Sequence, residues 1–302
     1  MSSEISRWNR FRDKHNRELT AYKLLGIPLT LWFIFFVFAL FRAFFISLTD
    51  WNLLSQASFI GLDNYKEILS NRETINIFKN TIIWTLFIAI SHNVLGLFTA
   101  YMLNEIPKGE SVFRTLLYWP VLVSLVVGAE MIKYIFNPSP FGLMNSILIK
   151  IGMEPMAWYQ SPRIALISLI IFPMLTGFGI KMIIYQAGFK GIPKSIYEAA
   201  KLDGASEWQQ FTRITLPLIK PVIILNFVMS TIEGFRVLAP MQLVTNGGPI
   251  SSTETVVLSI YKHGFVKNNM GYASALAFIL FGIILLIAAI QLKLQGEDIS
   301  YE

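Results

Sequence analysis

The stretch Ser195–Pro221, SIYEAAKLDGASEWQQFTRITLPLIKP, is a polar segment between two apolar segments of membrane length. Helix connections in bundles usually take about 2–8 residues. A loop of this length is therefore not needed simply to reverse the chain. Ser195 and Glu198 have the spacing of a capping box for a short helix, and Gly204 suits the left-handed residue that ends it. Ser206 begins a second helix in the same way. The stretch predicts a bent helix pair outside the bilayer whose small residues let another protein come close.

The composition of the whole chain is that of a membrane protein. The chain has 302 residues, of which 54% are hydrophobic and 15% charged, and its mean hydropathy is +0.54. Soluble domains average about 25% charged residues. Apolar segments that approach the ~20 residues needed to cross a bilayer are Leu24–Leu48, Phe78–Leu103, Phe113–Phe136, Ile164–Ala187, Pro221–Val244 and Tyr272–Leu292. The sequence predicts an all-α integral membrane protein with six transmembrane helices.

Basic residues are unevenly divided between the two sides that six spans create. Lysine and arginine are frequent in residues 1–23 and in the loop of about residues 190–220, and sparse in the loops of the other side. Because cytoplasmic loops carry an excess of these residues, both termini and the polar loop are expected in the cytoplasm. We therefore expect a basic tail over 1–23, one membrane domain over 24–292, and a second cytoplasmic tail over 293–302.

The sequence argues against enzymatic chemistry and against nucleic-acid binding. There is no cysteine, and His15, His92 and His263 are scattered, so no metal site is indicated. A phosphate loop of the type G-x-x-x-x-G-K-[ST] is missing, so the chain is not expected to hydrolyse ATP itself. The basic residues do not form a patch with interleaved aromatic residues on a soluble module. Any energy for work across the membrane must come from a partner.

The fifth apolar segment is the richest in polar groups. It contains Ser230, Glu233, Gly234 and Arg236 before Pro240. Glycine and proline so close together predict a broken helix whose freed backbone groups face a cavity, as in the midplane sites of transporters. Glu233 and Arg236 either neutralise each other at i, i+3 or contact a solute, and both interpretations stay open.

Other intramembrane polar residues have simpler interpretations. His92 is expected to form a hydrogen bond between packed helices. Glu130 and Lys133, also spaced i, i+3, are expected to form a structural pair. Lys181 is expected to extend toward the cytoplasmic interface, which a long basic side chain near a helix end often does.

Several motifs together resemble one family. Glu198-Ala199-Ala200, Gly204, Ile214 and Leu216-Pro217 resemble the EAA loop of ABC importer permeases in identity and spacing. Further resemblance lies in Phe59–Tyr65 (FIGLDNY), Thr245–Pro249 (TNGGP) and Gly271–Ala275 (GYASA). These motifs are similar to the carbohydrate-uptake branch, the maltose-type "F" permease family, and the resemblance runs from about Leu24 to Leu292. Ala239 stands where that family commonly has an acidic residue, which leaves the particular solute open.

The resemblance implies a fold and three groups of functional residues. The fold is the type I ABC importer permease fold with a cytoplasmic EAA coupling-helix loop. Residues that would couple to the ATPase are Glu198, Ala199, Ala200, Gly204, Ile214, Leu216 and Pro217. Residues that would line the substrate pathway by this resemblance are Thr176, Gly177, Ser230, Glu233 and Gly234, and the chemistry of the neighbouring side chains adds Phe235 and Arg236. Residues that would form an outer gate or contact a binding protein are Thr245, Gly247, Gly248 and Pro249.

The resemblance also implies a set of partners. These are a related second permease, two ABC ATPase subunits, and an extracytoplasmic binding protein that delivers a sugar or oligosaccharide. ATP and Mg²⁺ would bind to the ATPase subunits and not to this chain, which would lie in the cytoplasmic membrane of a bacterium or archaeon. A self-sufficient secondary transporter or channel is the alternative; it would explain the intramembrane charges but not the docking motif.

Overall fold

The protein is described by a computed structural model over residue 22 and residues 24–106 and 108–294. Most of the two predicted tails therefore lies outside the described residues. The helices are α1 (Leu24–Ser47), α2 (Asp63–Ser70), α3 (Arg72–Asn104), α4 (Glu110–Leu122), α5 (Leu125–Ile135), α6 (Leu143–Lys150), α7 (Ala165–Thr176), α8 (Gly179–Lys190), α9 (Lys194–Leu202), α10 (Glu207–Leu218), α11 (Lys220–Phe235), α12 (Val256–Val266) and α13 (Met270–Lys293). Among these residues the extended pairing is a single bridge between Thr49 and Phe59.

Three helices are long and apolar enough to cross a bilayer. They are α1, α3 and α13, with 24, 33 and 24 residues. Three bent pairs, α4 with α5, α7 with α8 and α10 with α11, have the same character when each pair is taken together, so the number of spans is between 3 and 6 by length and composition. Five of the six predicted spans correspond to α1, α3, α13 and the pairs α4–α5 and α7–α8, and the fifth predicted span begins with α11, since α10 lies in the predicted polar loop.

Helix α3 is the centre of the helical packing. It contacts α7, α8 and α11, which come from far along the chain. Asn93 on α3 donates a hydrogen bond to Ser230 Oγ of α11 at 3.0 Å and accepts one from Tyr185 Oη of α8 at 2.7 Å. All three side chains are buried. Polar groups thus fasten three helices together where water is scarce, and they satisfy one another's hydrogen bonds.

The third apolar segment is not one straight helix. Helices α4 and α5 meet at 89°. Val123 and Ser124 at the junction have extended backbone, and Ser124 caps α5 by accepting a hydrogen bond from Val127 N at 3.3 Å. Pro120, in the last turn of α4, cannot donate a backbone hydrogen bond. Composition alone showed the continuous run Phe113–Phe136 and gave no sign of this corner.

The fourth and fifth apolar segments are also interrupted. Helices α7 and α8 are bent by 40° around Gly177 and Phe178. Helix α11 ends at Phe235, with Arg236 at its C-cap, and the chain then forms a short π-helix over Met241–Thr245. The predicted break of the fifth segment between Glu233 and Pro240 is confirmed. Helix α13 packs on α1, where the rings of Phe44 and Phe278 meet edge to face at 5.4 Å.

Candidate functional site

One face of α11 is exposed from Leu225 to the end of the helix. Leu225, Met229, Glu233 and Arg236 are exposed, at spacings of three or four residues that place them in one stripe. The neighbouring Ser230, Thr231, Gly234 and Phe235 are buried against α3 and α13. Because charged groups are costly against acyl chains, the Glu233 and Arg236 end of this stripe suits a water-filled path or a polar protein surface.

The acid of this stripe is paired with a lysine from another helix. Lys181 Nζ of α8 lies 3.1 Å from the Glu233 carboxylate. The lysine side chain is 1% exposed and the glutamate side chain 52% exposed. The hypothesis that Glu233 and Arg236 neutralise each other is therefore wrong, and among the described residues Arg236 has no ion pair. The expectation that Lys181 extends to the interface is also wrong, because its side chain is buried and its charged group pairs with Glu233 of another helix.

Two close helix approaches hold this pair in place. A Cβ atom added to Gly96 of α3 would lie 2.9 Å from Lys181 Cβ and 3.1 Å from Met182 N, so α3 and α8 touch here. A Cβ atom on Gly234 would lie 2.8 Å from Thr85 Cγ2. The backbone on either side of the Lys181–Glu233 pair is thus packed directly on the central helix.

The other predicted pathway residues divide into two groups. Ser230, Gly234 and Phe235 face the packed helices: Ser230 Oγ donates to Asn226 O at 2.8 Å, and Phe235 packs with Val256 and Leu280. Thr176 and Gly177 lie at the bend between α7 and α8 and are half-buried.

His92 closes the space at this bend. Its Nε2 lies 2.9 Å from Pro173 O of α7, so the predicted interhelical hydrogen bond is confirmed. Its ring fills the position that a Cβ of Gly177 would take. Thr176 also lines a cavity of about 90 Å³ with Ser124, Phe172 and Pro240.

The predicted pair between Glu130 and Lys133 on α5 is confirmed as well, at 2.8 Å.

The polar loop has the helix pair that its sequence predicts, with one difference at its start. Gly204 has φ +77° and ends α9. The hydrogen bonds Ala205 N to Ala200 O and Gly204 N to Lys201 O, at 2.9 and 3.1 Å, form a Schellman motif. Ser206 and Gln209 form both hydrogen bonds of a capping box. The capping box predicted for Ser195 and Glu198 is wrong: Pro193 occupies the N-cap position, and Ser195 already lies inside α9.

The side of this loop that faces away from the membrane helices is a surface available for docking. Glu198, Ala199, Gly204 and Pro217 are exposed, whereas Ala200, Ile214 and Leu216 are half-buried. Two large apolar side chains extend from the same loop, Leu202 at 90% and Trp208 at 71% exposure. Exposed apolar side chains of this size beside charged ones mark an interaction surface more often than a solvated face.

The inner side of the loop is anchored to the membrane helices. Ile192 and Ile219 pack in one buried cluster with Leu103 of α3 and with Tyr185 and Phe189 of α8. Tyr197 Oη and Thr215 Oγ1 form a hydrogen bond of 2.8 Å between the two halves of the loop. Helix α8 therefore reaches from Lys181 at one end to the base of the docking loop at the other.

The predicted outer group forms a tightly bonded turn. Thr245 Oγ1 and Thr253 Oγ1 are 2.6 Å apart, and Thr253 Oγ1 donates to Gly248 O at 2.9 Å. Gly247 has φ +85° and covers the ion pair between Lys262 and Glu254. Asn80 of α3 donates to Ser251 O and Glu254 O at 3.0 and 3.1 Å. The turn is thus joined to the same central helix as the docking loop.

Sequence reasoning missed the role of Lys181 because its partner is 52 residues away. The signal that was available is a lone lysine two residues after Gly179, inside an apolar segment, where an ionisable group usually needs a partner. As for metals, the described residues contain no group of three or more His, Cys, Asp or Glu side chains that could hold one.

Comparison with known proteins agrees with this architecture. The family model described as "binding-protein-dependent transport system inner membrane component" matches residues 22–295. The probable ABC transporter permease protein YesP of Bacillus subtilis is 36% identical over 273 residues, 89% of this chain and 87% of that protein. The arabinooligosaccharides transport system permease protein AraP of the same organism is 31% identical over 292 residues, 95% of this chain and 92% of that protein.

A solved structure has the same fold. A chain of a bacterial ABC transporter involved in the import of the acidic polysaccharide alginate superposes with a TM-score of 0.80 at 23% identity. The match covers 96% of this chain and 100% of that chain. At this identity the likeness concerns the arrangement of helices.

Proposed function

Since the chain belongs to the family of binding-protein-dependent transport system inner membrane components, we propose that it forms half of the path of an ATP-driven importer for a sugar or oligosaccharide. It is a transport permease and not an enzyme. A related second permease would form the other half of the path. An extracytoplasmic binding protein would deliver the solute, and two separate ABC ATPase subunits would bind ATP and Mg²⁺.

The exposed stripe of α11 carries this proposal. A solute path at membrane depth needs polar groups that are accessible from one side and supported from the other. Glu233 and Arg236 are accessible, and Lys181 and Gly234 support them from within the helix packing. A sugar suits such a stripe, because its hydroxyl groups can bond to the charged end while its C–H faces contact Met229 and Leu225. The relative AraP, named for arabinooligosaccharides, supports the same class of solute.

The docking loop would transmit the movement of the ATPase subunits. Glu198, Ala199 and Gly204 would meet the ATPase surface, together with the exposed Leu202 and Trp208. The loop is packed on α3 and α8, so a displacement of the loop would move the helix that carries Lys181. Closure of the ATPase subunits on ATP would rock the helices toward the outside, and hydrolysis would return them.

The outer turn at Thr245, Gly247, Gly248 and Pro249 would lie at the opposite end of the path. Its hydrogen bonds make it a rigid turn, which suits an outer gate or contact with the binding protein. This arrangement requires the docking loop and both termini in the cytoplasm and the turn outside, as the distribution of basic residues favours. The membrane would be the cytoplasmic membrane of a bacterium or archaeon.

Purification of the assembly tests the proposal. We expect an affinity-tagged chain, expressed with its genetic neighbours, to retain a second permease and ATPase subunits in detergent. In proteoliposomes, a saccharide-loaded binding protein should stimulate ATP hydrolysis and saccharide uptake. A lone chain that transports solute without ATPase subunits would overturn the proposal and favour the secondary transporter or channel.

A further inference from the structure

The two ends of the Lys181–Glu233 pair differ greatly in exposure. The lysine is 1% exposed and the glutamate 52% exposed, although their charged groups are only 3.1 Å apart. A pair that merely cancels charge between packed helices would be expected to bury both ends. Here the cation is enclosed, and the carboxylate has one side against Lys181 and the other on the open stripe of α11.

We propose that Lys181 is a positioning residue of the solute path, which orients the Glu233 carboxylate so that its open side accepts hydrogen bonds from saccharide hydroxyl groups. The inference rests on the proposed function, because a solute rich in hydroxyl groups supplies the donors that this acceptor needs. Sequence motifs assign Lys181 no part in transport.

The hydrogen-bond capacity of the carboxylate leaves room for solute. An ionised carboxylate has two oxygens with about four acceptor sites. Lys181 Nζ lies 3.1 Å from Oε1 and 3.1 Å from Oε2 and so faces the carboxylate from one side. The remaining sites lie toward the exposed side. Because bonds to a charged acceptor are stronger than bonds to a neutral one, the orientation of this carboxylate bears directly on how firmly a hydroxyl is held.

Packing fixes the direction in which Lys181 reaches. Gly96 brings α3 so close to α8 that Lys181 Cβ sits against its backbone. At the start of α8, a Cβ on Gly179 would lie 2.9 Å from Val121 Cγ2 and 3.1 Å from Leu117 O of α4. Helix α8 is therefore enclosed by α3 and α4 at the turn that carries the lysine. A side chain held in this way loses little further entropy when it orients its partner.

Arg236 does not replace Lys181 in this role. It is exposed, stands on the same stripe as Glu233 and makes no ion pair among the described residues. If Glu233 paired with Arg236, its carboxylate would be occupied from the open side. Since Lys181 pairs with it from behind, both charged groups of the stripe stay accessible to solute.

The decisive variant is Lys181→Met with Glu233→Gln. It removes both charges while nearly conserving volume, so a merely structural pair would be replaced without an unpaired buried charge. In the complete transporter in proteoliposomes, we expect saccharide moved per ATP hydrolysed to fall by about tenfold, as for the loss of one hydrogen bond to a charged group. The single variant Lys181→Arg, which keeps the cation and leaves Glu233 in place, should keep most of the wild-type ratio of saccharide moved to ATP hydrolysed.

A second ion pair provides the matched control. Glu130→Gln with Lys133→Met removes a pair of 2.8 Å on α5, and this variant should keep the wild-type ratio. A wild-type ratio in the Lys181→Met, Glu233→Gln variant would overturn the proposal. Selective loss of the second permease when this variant is purified would overturn it too, because Glu233 would then be an interface residue. Failure of the wild-type assembly to couple saccharide uptake to ATP hydrolysis would instead refute the proposed function.

Discussion

At Gly96 the central helix and α8 are in direct contact. A Cβ at this position would lie 2.9 Å from Lys181 Cβ and 3.1 Å from the backbone of Met182, so a larger side chain must push the two helices apart. Protein interiors are packed too densely to absorb such a change locally. The separation of α3 and α8 is therefore set by the absence of one side chain.

We expect Gly96→Leu to lower solute uptake at least tenfold and to destabilise the protein by about 1–3 kcal/mol, the usual cost of overpacking. Uptake and the thermal unfolding midpoint of the purified protein measure the two effects. Gly282→Leu is the matched control, because it adds the same side chain to a membrane helix where nothing lies within 4 Å of the new Cβ. Equal tolerance of both substitutions would show that this approach of α3 and α8 is not needed.

Residue identity alone predicted some of these contacts and not others. The bond of His92 to another helix follows from the cost of an unpaired polar group in lipid, so it could be predicted without knowledge of its partner. Glu233 had a basic residue at i, i+3, and local spacing therefore suggested Arg236. Its partner Lys181 is 52 residues away, and only the packing of α8 and α11 on α3 and on each other brings the two together.

At the scale of elements, the docking loop depends on a left-handed residue between α9 and α10. Gly204 has φ +77° and nothing within 4 Å of an added Cβ, so the site is open but its backbone conformation disfavours any other residue. Its Schellman hydrogen bonds end α9 and set the direction in which α10 leaves. The same conformation occurs at Gly152, φ +82°, which also has open space around it.

Gly204→Val should therefore insert into the membrane normally and lose at least tenfold in uptake, because it changes the corner that meets the ATPase subunits. Gly152→Val carries a similar backbone strain and should keep uptake near the wild-type rate. Retention of ATPase subunits on the tagged chain distinguishes weak docking from failed transmission. If Gly204→Val transported as well as Gly152→Val, the loop would not be a coupling element.

Local rules predicted this loop well because its signals are local. Ser206 and Gln209 cap α10 as their spacing predicts, and Gly204 adopts the conformation that glycine favours. The first capping box failed because Pro193 begins the helix earlier. The 89° corner between α4 and α5 could not be predicted from an uninterrupted apolar run. Ser124 adopts extended backbone there and caps the second helix, a choice that depends on tertiary packing.

At the scale of the whole molecule, α3 joins the two ends of the proposed path. Asn80 near one end bonds to the outer turn, and Leu103 near the other packs with the base of the docking loop. Helices α7, α8 and α11 pack between these points. A single rigid helix of 33 residues can therefore keep the two ends in register while the helices around it shift.

The proposed orientation can be tested with two matched cysteines. Leu202 on the docking loop and Ile250 beside the outer turn are both 90% exposed, and the natural sequence has no cysteine. An impermeant thiol reagent should label Ile250→Cys but not Leu202→Cys in intact cells. Both should react once cells without the ATPase subunits are permeabilised. Labelling of Leu202→Cys alone in intact cells would reverse the orientation and remove the docking assignment.

The central position of α3 also has a consequence for how the protein is made. Asn93 and its partner Ser230 are separated by 137 residues. Ribosomes add about 5–20 residues per second, so roughly 7–27 s pass between the synthesis of the two. During this interval Asn93 still lacks Ser230, and until α7 has been made His92 also lacks Pro173. The hydrogen bond between α3 and α11 therefore forms only after α11 has been made, which makes this late helix, and not the insertion of α3, the step that completes the packing around Asn93.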